Sequence, residues 1–334
     1  MQAAKALAIC GLAVAAAAHA DEPRQWLARM NEALTTRNYD GQFFHVHDGR
    51  IETMRIIHRV EGHNVTERLV SLDGSGREFV RRGNELTCYL PDKRTVLVER
   101  PKTEGPLLGS LPALDVANVS MYNISGGAER TRLMGRDARL VHVSPRDDFR
   151  YGYRLWIDED TAMPLKTQLC DDRGRVLEQI VFSSLSLPAS IPDSAFVPAV
   201  NTAGFRWLRD DEGGRVAQGT AQGPVLWEAM RLPPGFRLSI QGLQAMPGSR
   251  ESVSHLVFTD GIASVSVFVE PKASGTPLEG PSRLGSSSAF STVIDGHQVT
   301  AVGEVPPSTV RFIATQVKPR GAKQPAAPAF APQR

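Results

Sequence analysis

The sequence predicts a mainly antiparallel β protein with a small helical content (α+β), built as one large curled sheet followed by a smaller sheet-and-helix unit. Three observations carry this expectation. Apolar and polar residues alternate at period two from Gly41 to Ser186, and again from Arg237 to Gly303. The runs are joined by short glycine-containing turns, among them Asp48-Gly49, Asp73-Gly74, Asp260-Gly261 and Asp295-Gly296, and links this short force antiparallel neighbours. A stretch rich in proline and glycine between Ser186 and Pro224 separates the two regions.

The first twenty residues read as an address. Lys5, an apolar run from Ala6 to Ala18 and the small-x-small triplet Ala18-His19-Ala20 form the pattern of a cleaved secretory signal peptide, which places the mature chain in the periplasm. The run is too short to span a bilayer, and no later stretch reaches the roughly 18 apolar residues that a spanning helix needs. From Asp21 to Arg37, Trp26, Leu27, Met30, Ala33 and Leu34 recur at helical spacing, so an amphipathic helix opens the mature chain. Strands are expected at 42–47, 52–60, 65–72, 78–82, 85–90 and 95–98, then, after a Pro/Leu/Gly-rich loop over 101–119, at 121–125, 136–143, 150–158, 165–171 and 175–185. Residues 21–198 make the first domain, 199–223 a linker with little core, and 224–317 the second domain. Within the second domain the strands are 237–240, 252–259, 262–270, 290–294 and 297–303, closed by a helix over 307–317; residues 318–334 read as a disordered tail. A sheet as long as the first must close, curl or be covered to bury its apolar face, and the opening helix is the natural cover.

Composition narrows the function. The chain has 334 residues, enough for about two domains, and 38 Lys+Arg against 36 Asp+Glu give a formal net charge of +2. A balance so close to zero excludes a generic nucleic-acid binder, so no nucleic-acid partner is expected. Catalytic signatures are missing from the sequence: there is no G-x-S-x-G elbow, no phosphate-cradling loop, no dinucleotide fingerprint and no Cys-x-x-Cys. The paired acids Asp147-Asp148, Asp158-Glu159-Asp160 and Asp171-Asp172 fall in predicted turns, where carboxylates are solvated. His45 and His47 put two imidazoles on one strand face, but zinc needs three or four ligands and no Asp or Glu stands beside them at metal-ligand spacing, so they read as exposed histidines. No enzyme activity, metal or cofactor is therefore expected. Past the signal peptide, Cys88 and Cys170 remain; in an oxidising compartment they either form one disulfide or stay as two buried thiols, and spacing leaves both open.

The segments Arg150-Tyr151-Gly152-Tyr153-Arg154-Leu155-Trp156-Ile157-Asp158, Pro164-Leu165-Lys166 and Leu177-Glu178-Gln179 resemble the central signature of the MucB/RseB family, periplasmic regulators of the envelope-stress (AlgU/sigma-E) sigma-factor pathway. Leu72-Asp73-Gly74 with Arg77-Glu78, and Arg82-Gly83-Asn84-Glu85, are similar to an earlier family segment. Leu232-Pro233-Pro234-Gly235-Phe236, Asp260-Gly261 with Ser264-Val265-Ser266-Val267, and Val302-Gly303-Glu304-Val305-Pro306 resemble its C-terminal domain. The resemblance runs in order over about residues 22–317.

It implies a large half-open β-barrel covered by helices, like that of the LolA/LolB lipoprotein carriers, followed by a small α+β domain. It also implies that the protein binds the periplasmic segment of an anti-sigma factor, MucA/RseA-like, shields it from regulated proteolysis, and senses lipopolysaccharide or the acyl chains of mislocalised lipoprotein. A homo-oligomer stays open as a further assembly. On this basis Phe43, Leu155, Trp156 and Phe182, apolar residues of the first-domain strands, are the expected lipid contacts, with ordinary core packing as their alternative. Phe236, Asp260 and Phe268 are the expected anti-sigma contacts; Phe268 lies opposite the Val265/Val267/Val269 face and so must be either exposed or covered. The competing functional class is a periplasmic lipid or lipoprotein carrier, which would use the barrel without the second domain.

Overall fold

The computed structural model describes residues 23–74, 76–100, 107–108, 120–209, 227–245, 252–271 and 279–320. The predicted signal peptide, nearly all of the loop at 101–119, the linker beyond 209 and the tail beyond 320 lie outside the described residues.

The described part of helix α1 (residues 23–36) begins with Pro23, whose fixed φ suits a first helical turn. It is followed by eleven strands that form one antiparallel sheet: β1 (Tyr39–His47), β2 (Arg50–Glu61), β3 (Asn64–Ser71), β4 (Glu78–Arg82), β5 (Glu85–Leu90), β6 (Thr95–Glu99), β7 (Tyr122–Leu133), β8 (Arg136–Pro145), β9 (Gly152–Asp158), β10 (Pro164–Cys170) and β11 (Val176–Ser186). The sheet order is β6-β5-β4-β3-β2-β1-β11-β10-β9-β8-β7, so two meanders meet where β1 pairs with β11. The turn at Asp48-Gly49 has positive φ at both residues, 49° and 70°, as a type I′ hairpin requires. The α1 residues Trp26, Leu27, Met30, Ala33 and Leu34 are buried against Tyr39, Phe43, Ile56, Val141, Leu155, Ile180 and Phe182. The helix therefore supplies the cover that the apolar sheet face needs.

A twelfth strand, β12 (Arg206–Arg209), joins the same sheet, pairing in parallel with β6. This corrects the expected linker: Val200 and Phe205 also pack on the Val80, Tyr89, Val96 and Val98 cluster, so residues 200–209 are part of the first module. Strand β7 likewise runs eight residues past the expected end at 125, because Gly126 and Gly127, at φ 93° and 85°, form a bulge and the pairing resumes at Arg130.

The second module begins with β13 (Trp227–Ala229), which pairs with β20 (Val317–Pro319); residues 317–319 are thus strand where a helix end and a tail were expected. Between them lie β14 (Arg237–Ala245), β15 (Ser252–Thr259), β16 (Ser264–Pro271), β17 (Gly280–Leu284), β18 (Ser287–Ile294), β19 (His297–Gly303) and helix α2 (Pro307–Gln316). The sheet order is β14-β15-β16-β19-β18-β17. Val265, Val267, Val269, Val299 and Ala301 form one face and meet Val310, Ile313 and Ala314 of α2.

Cys88 and Cys170 are both buried and free, on β5 and β10, with five strands between them in the sheet. A disulfide needs Cα atoms within about 7 Å, so the bridge alternative is overturned and the two-thiol alternative stands. Burial, with Glu99 nearby, pushes the Cys88 thiol up to about 12.

Candidate functional site

Three of the sequence segments singled out above meet at one place, the seam between the two modules. Arg150 lies just before β9, at the end of a turn, with a side chain wholly withdrawn from solvent. Its Nε donates to Asp147 Oδ1 at 3.0 Å, its Nη1 to Asp260 Oδ2 at 2.6 Å and its Nη2 to the Pro234 carbonyl at 2.6 Å. The Phe236 ring faces the guanidinium at 5.1 Å and the Tyr122 ring at 5.5 Å. Tyr122 donates its hydroxyl to the same Asp260 oxygen at 3.0 Å. Burial, with the Asp260 charge beside it, holds that phenol well above its ordinary range. Asp260 Oδ1 is occupied within its own turn, accepting the Ile262 and Ala263 amides at 2.8 and 2.7 Å. One buried cation from the first module is thus matched to one buried anion, a carbonyl and an aromatic face from the second. Gly235 lets the Pro233-Pro234 turn come this close: its φ is 82°, and a Cβ there would sit 2.6 Å from Met121 Cγ.

The seam extends in two directions. Thr309 and Ser308, at the start of α2, donate to the Phe149 and Asp148 carbonyls, and Phe149 meets Phe312 edge-on at 5.6 Å. On the other side Gly285 N–H donates to Asp48 Oδ2 at 2.9 Å, and Ser286 Oγ lies 2.7 Å from Glu178 Oε2 and 3.0 Å from Glu304 Oε1. Burial and the neighbouring Glu178 raise the Glu304 carboxyl, with Ser286 opposing them. A water-sized cavity of about 10 Å³ lies here beside Tyr153, Glu178 and Glu304.

The expected site residues fall into four places. Phe236 and Asp260 are buried in the seam, at 7% and 2% exposure, so they bind the two modules to each other and offer no free face to a partner; the reason is that Arg150 lies against both. Phe268 is half-buried on the second sheet, stacked on His255 with centroids 4.5 Å apart and rings 3° from parallel. Phe43, Leu155 and Phe182 are 3%, 0% and 2% exposed and fill the interior under α1, with Phe43 and Phe182 in ring contact at 5.5 Å. Trp156 is adjacent to Leu155, so strand alternation turns it to the opposite face, where Lys166 Nζ stands 4.5 Å from its ring centroid. The four therefore do not line one opening. A cleft of about 220 Å³ does open beside α1, but Arg29, Glu32, Thr36 and Arg37 line it, which suits water better than an acyl chain.

Sequence reasoning missed Arg150, Tyr122, Glu178 and Glu304. A buried charge is recognisable only through its partner, and Asp260 is 110 residues away in the chain.

Comparison with known proteins matches the MucB/RseB N-terminal domain over residues 22–200 and the MucB/RseB C-terminal domain over residues 221–318. The chain is 31% identical to the sigma factor AlgU regulatory protein MucB of Pseudomonas aeruginosa, over 92% of this chain and 94% of that protein. It is 27% identical to the sigma-E factor regulatory protein RseB of Escherichia coli strain K12, over 87% and 89%. Among solved structures it is similar to the Pseudomonas aeruginosa MucA/MucB complex, with a TM-score of 0.68 at 29% identity, covering 90% of this chain and 99% of that one.

Proposed function

The chain belongs to the MucB/RseB family, and from that premise we propose that it is a binding regulator that holds the periplasmic segment of a MucA-like anti-sigma factor and shields it from proteolysis. The observation that carries this reading is the match of both modules, in order, to a relative whose solved structure is a complex with MucA. The seam supports it physically. A buried ion pair, a proline-rich turn and a helix start join the modules, so they present their surfaces to a partner as one body. The leader-like residues 1–20 support a periplasmic location for this activity, and no described helix is long and apolar enough to cross a membrane.

With Phe236 and Asp260 committed to the seam, Phe268 is the remaining member of the expected partner contacts with surface to offer. The direct test is calorimetric titration of the purified mature chain with the periplasmic segment of its cognate anti-sigma factor. The reading expects a saturable one-to-one complex, and Phe268→Ala to weaken it by about tenfold. No heat and no co-elution would sink the proposal; a complex unaffected by Phe268→Ala would remove that residue alone.

A further inference from the structure

We propose that His45, His47 and Glu52 form a binding site for a divalent transition metal of the zinc class. Strand β1 lies between β2 and β11, and the register sets Glu52 directly against His45 on one side and Glu178 directly against His47 on the other. Directly opposed residues share a sheet face, and so do i and i+2, so two imidazoles and two carboxylates converge from three adjacent strands. The carboxylate that the linear sequence lacked near the histidines is supplied by strand pairing.

One ligand atom from each of His45, His47 and Glu52 lies within 4.8 Å of the others. A tetrahedral ion about 2.1 Å from each needs them about 3.4 Å apart, so closing the site asks for roughly an ångström of side-chain movement. The imidazole rings are 4.5 Å apart at 30°. The shortest His47–Glu52 approach, Nε2 to Oε1, is 4.0 Å, too long for a hydrogen bond, so a direct bond between them does not account for the cluster. Arg77 Nη2 stands 3.4 Å from Glu52 Oε1 and holds that side chain in place beside the histidines.

The outer contacts fit as well. His45 Nε2 is 2.7 Å from Glu178 Oε1, the carboxylate–imidazole pairing that orients metal-bound histidines and leaves the lone pair of the other ring nitrogen, Nδ1, for the ion. Glu178 is held in turn by Ser286 of the second module. The His45 and His47 side chains are 23% and 26% exposed, sheltered yet reachable from solvent. Two imidazoles and one carboxylate suit zinc, with water completing four ligands. Because the Asp48 contact to Gly285 follows directly on His47, an ion here would also brace the seam.

The test uses the untagged mature chain, stripped with a chelator and then titrated with Co²⁺ by visible absorbance and with Zn²⁺ by competition against a chromophoric chelator. The proposal expects one equivalent per chain and tetrahedral Co²⁺ bands. His47→Ala and Glu52→Gln should each weaken binding by at least about tenfold, while His63→Ala, exposed in the β2–β3 turn, should leave it unchanged. Zn²⁺ should raise the melting temperature of the parent chain and leave that of His47→Ala unmoved. Metal-free melts matching the parent chain establish that the variants are folded. Absence of binding, or binding that survives both His47→Ala and Glu52→Gln, overturns the site.

Discussion

Arg150 carries a full charge into a region without solvent, and it is satisfied by groups that three separate segments bring to it: Asp147, Asp260 and the Pro234 carbonyl. A buried pair of this kind adds little over an apolar replacement but is costly to break, because the surviving partner keeps its charge without compensation. Asp260→Ala is therefore expected to cost about 3–5 kcal/mol in urea unfolding, and the double variant Arg150→Met/Asp260→Leu to recover much of it. If the single variant unfolds like the parent chain, the pair is not what joins the modules. The cysteines make a second prediction at this scale. With Cys88 and Cys170 buried and free, and the Cys88 thiol pushed up to about 12, the native mature chain should react slowly with a thiol reagent at neutral pH. After unfolding without reductant it should yield two thiols per chain; a yield of none would restore the bridge. The sequence contained one clue that was open to use: Leu155 and Trp156 are neighbours on a strand, so period two already forbids both from lining one cavity. Nothing local could show that Arg150 is buried, since its partner Asp260 comes from the other module.

Elements were legible where their signals are local. The hairpins at Asp48-Gly49 and Asp295-Gly296 have the positive φ that an Asp-Gly pair is chosen for, and α1 buries the face its spacing marks. Among the strands missed, some have a remote partner or an interrupted pattern, whereas β17 is an exposed edge strand of Gly, Pro, Ser and Arg ending in one Leu, with no apolar alternation to mark it although its partner β18 follows directly. β12 pairs in parallel with β6, β13 pairs with β20 at the far end of the module, and the second half of β7 follows a Gly-Gly bulge. That bulge serves the packing of α1. A Cβ on Gly127 would meet the Trp26 ring at 3.4 Å, and one on Gly126 would fall 2.4 Å from the Leu140 carbonyl, at a φ that side chains rarely adopt. Gly126→Ala is expected to destabilise the first module by about 1–3 kcal/mol by thermal melting, since backbone strain and a clash with backbone act together. An unchanged melt would mean that the bulge rearranges freely.

On the scale of the whole molecule, the seam determines behaviour. The first module is a twelve-strand sheet covered by α1, the second a six-strand sheet covered by α2, and each has its own core. Two cores joined through a polar seam unfold as one unit only while the seam holds. Calorimetry should show a single transition for the mature chain and two for Asp260→Ala; two transitions in the parent chain would mean that the modules are independent. Two-module order was readable from the proline- and glycine-rich break, whereas the seam was not, because Arg150, Glu178, Ser286 and Glu304 come together only in three dimensions. In the proposed function, this single body shields a bound segment. The most direct measurement is the rate at which a protease cleaves the periplasmic segment of the cognate anti-sigma factor as this chain is added. Cleavage should slow saturably, by about tenfold once the chain is at ten times its dissociation constant, and an unchanged rate at concentrations where binding is complete would contradict the account.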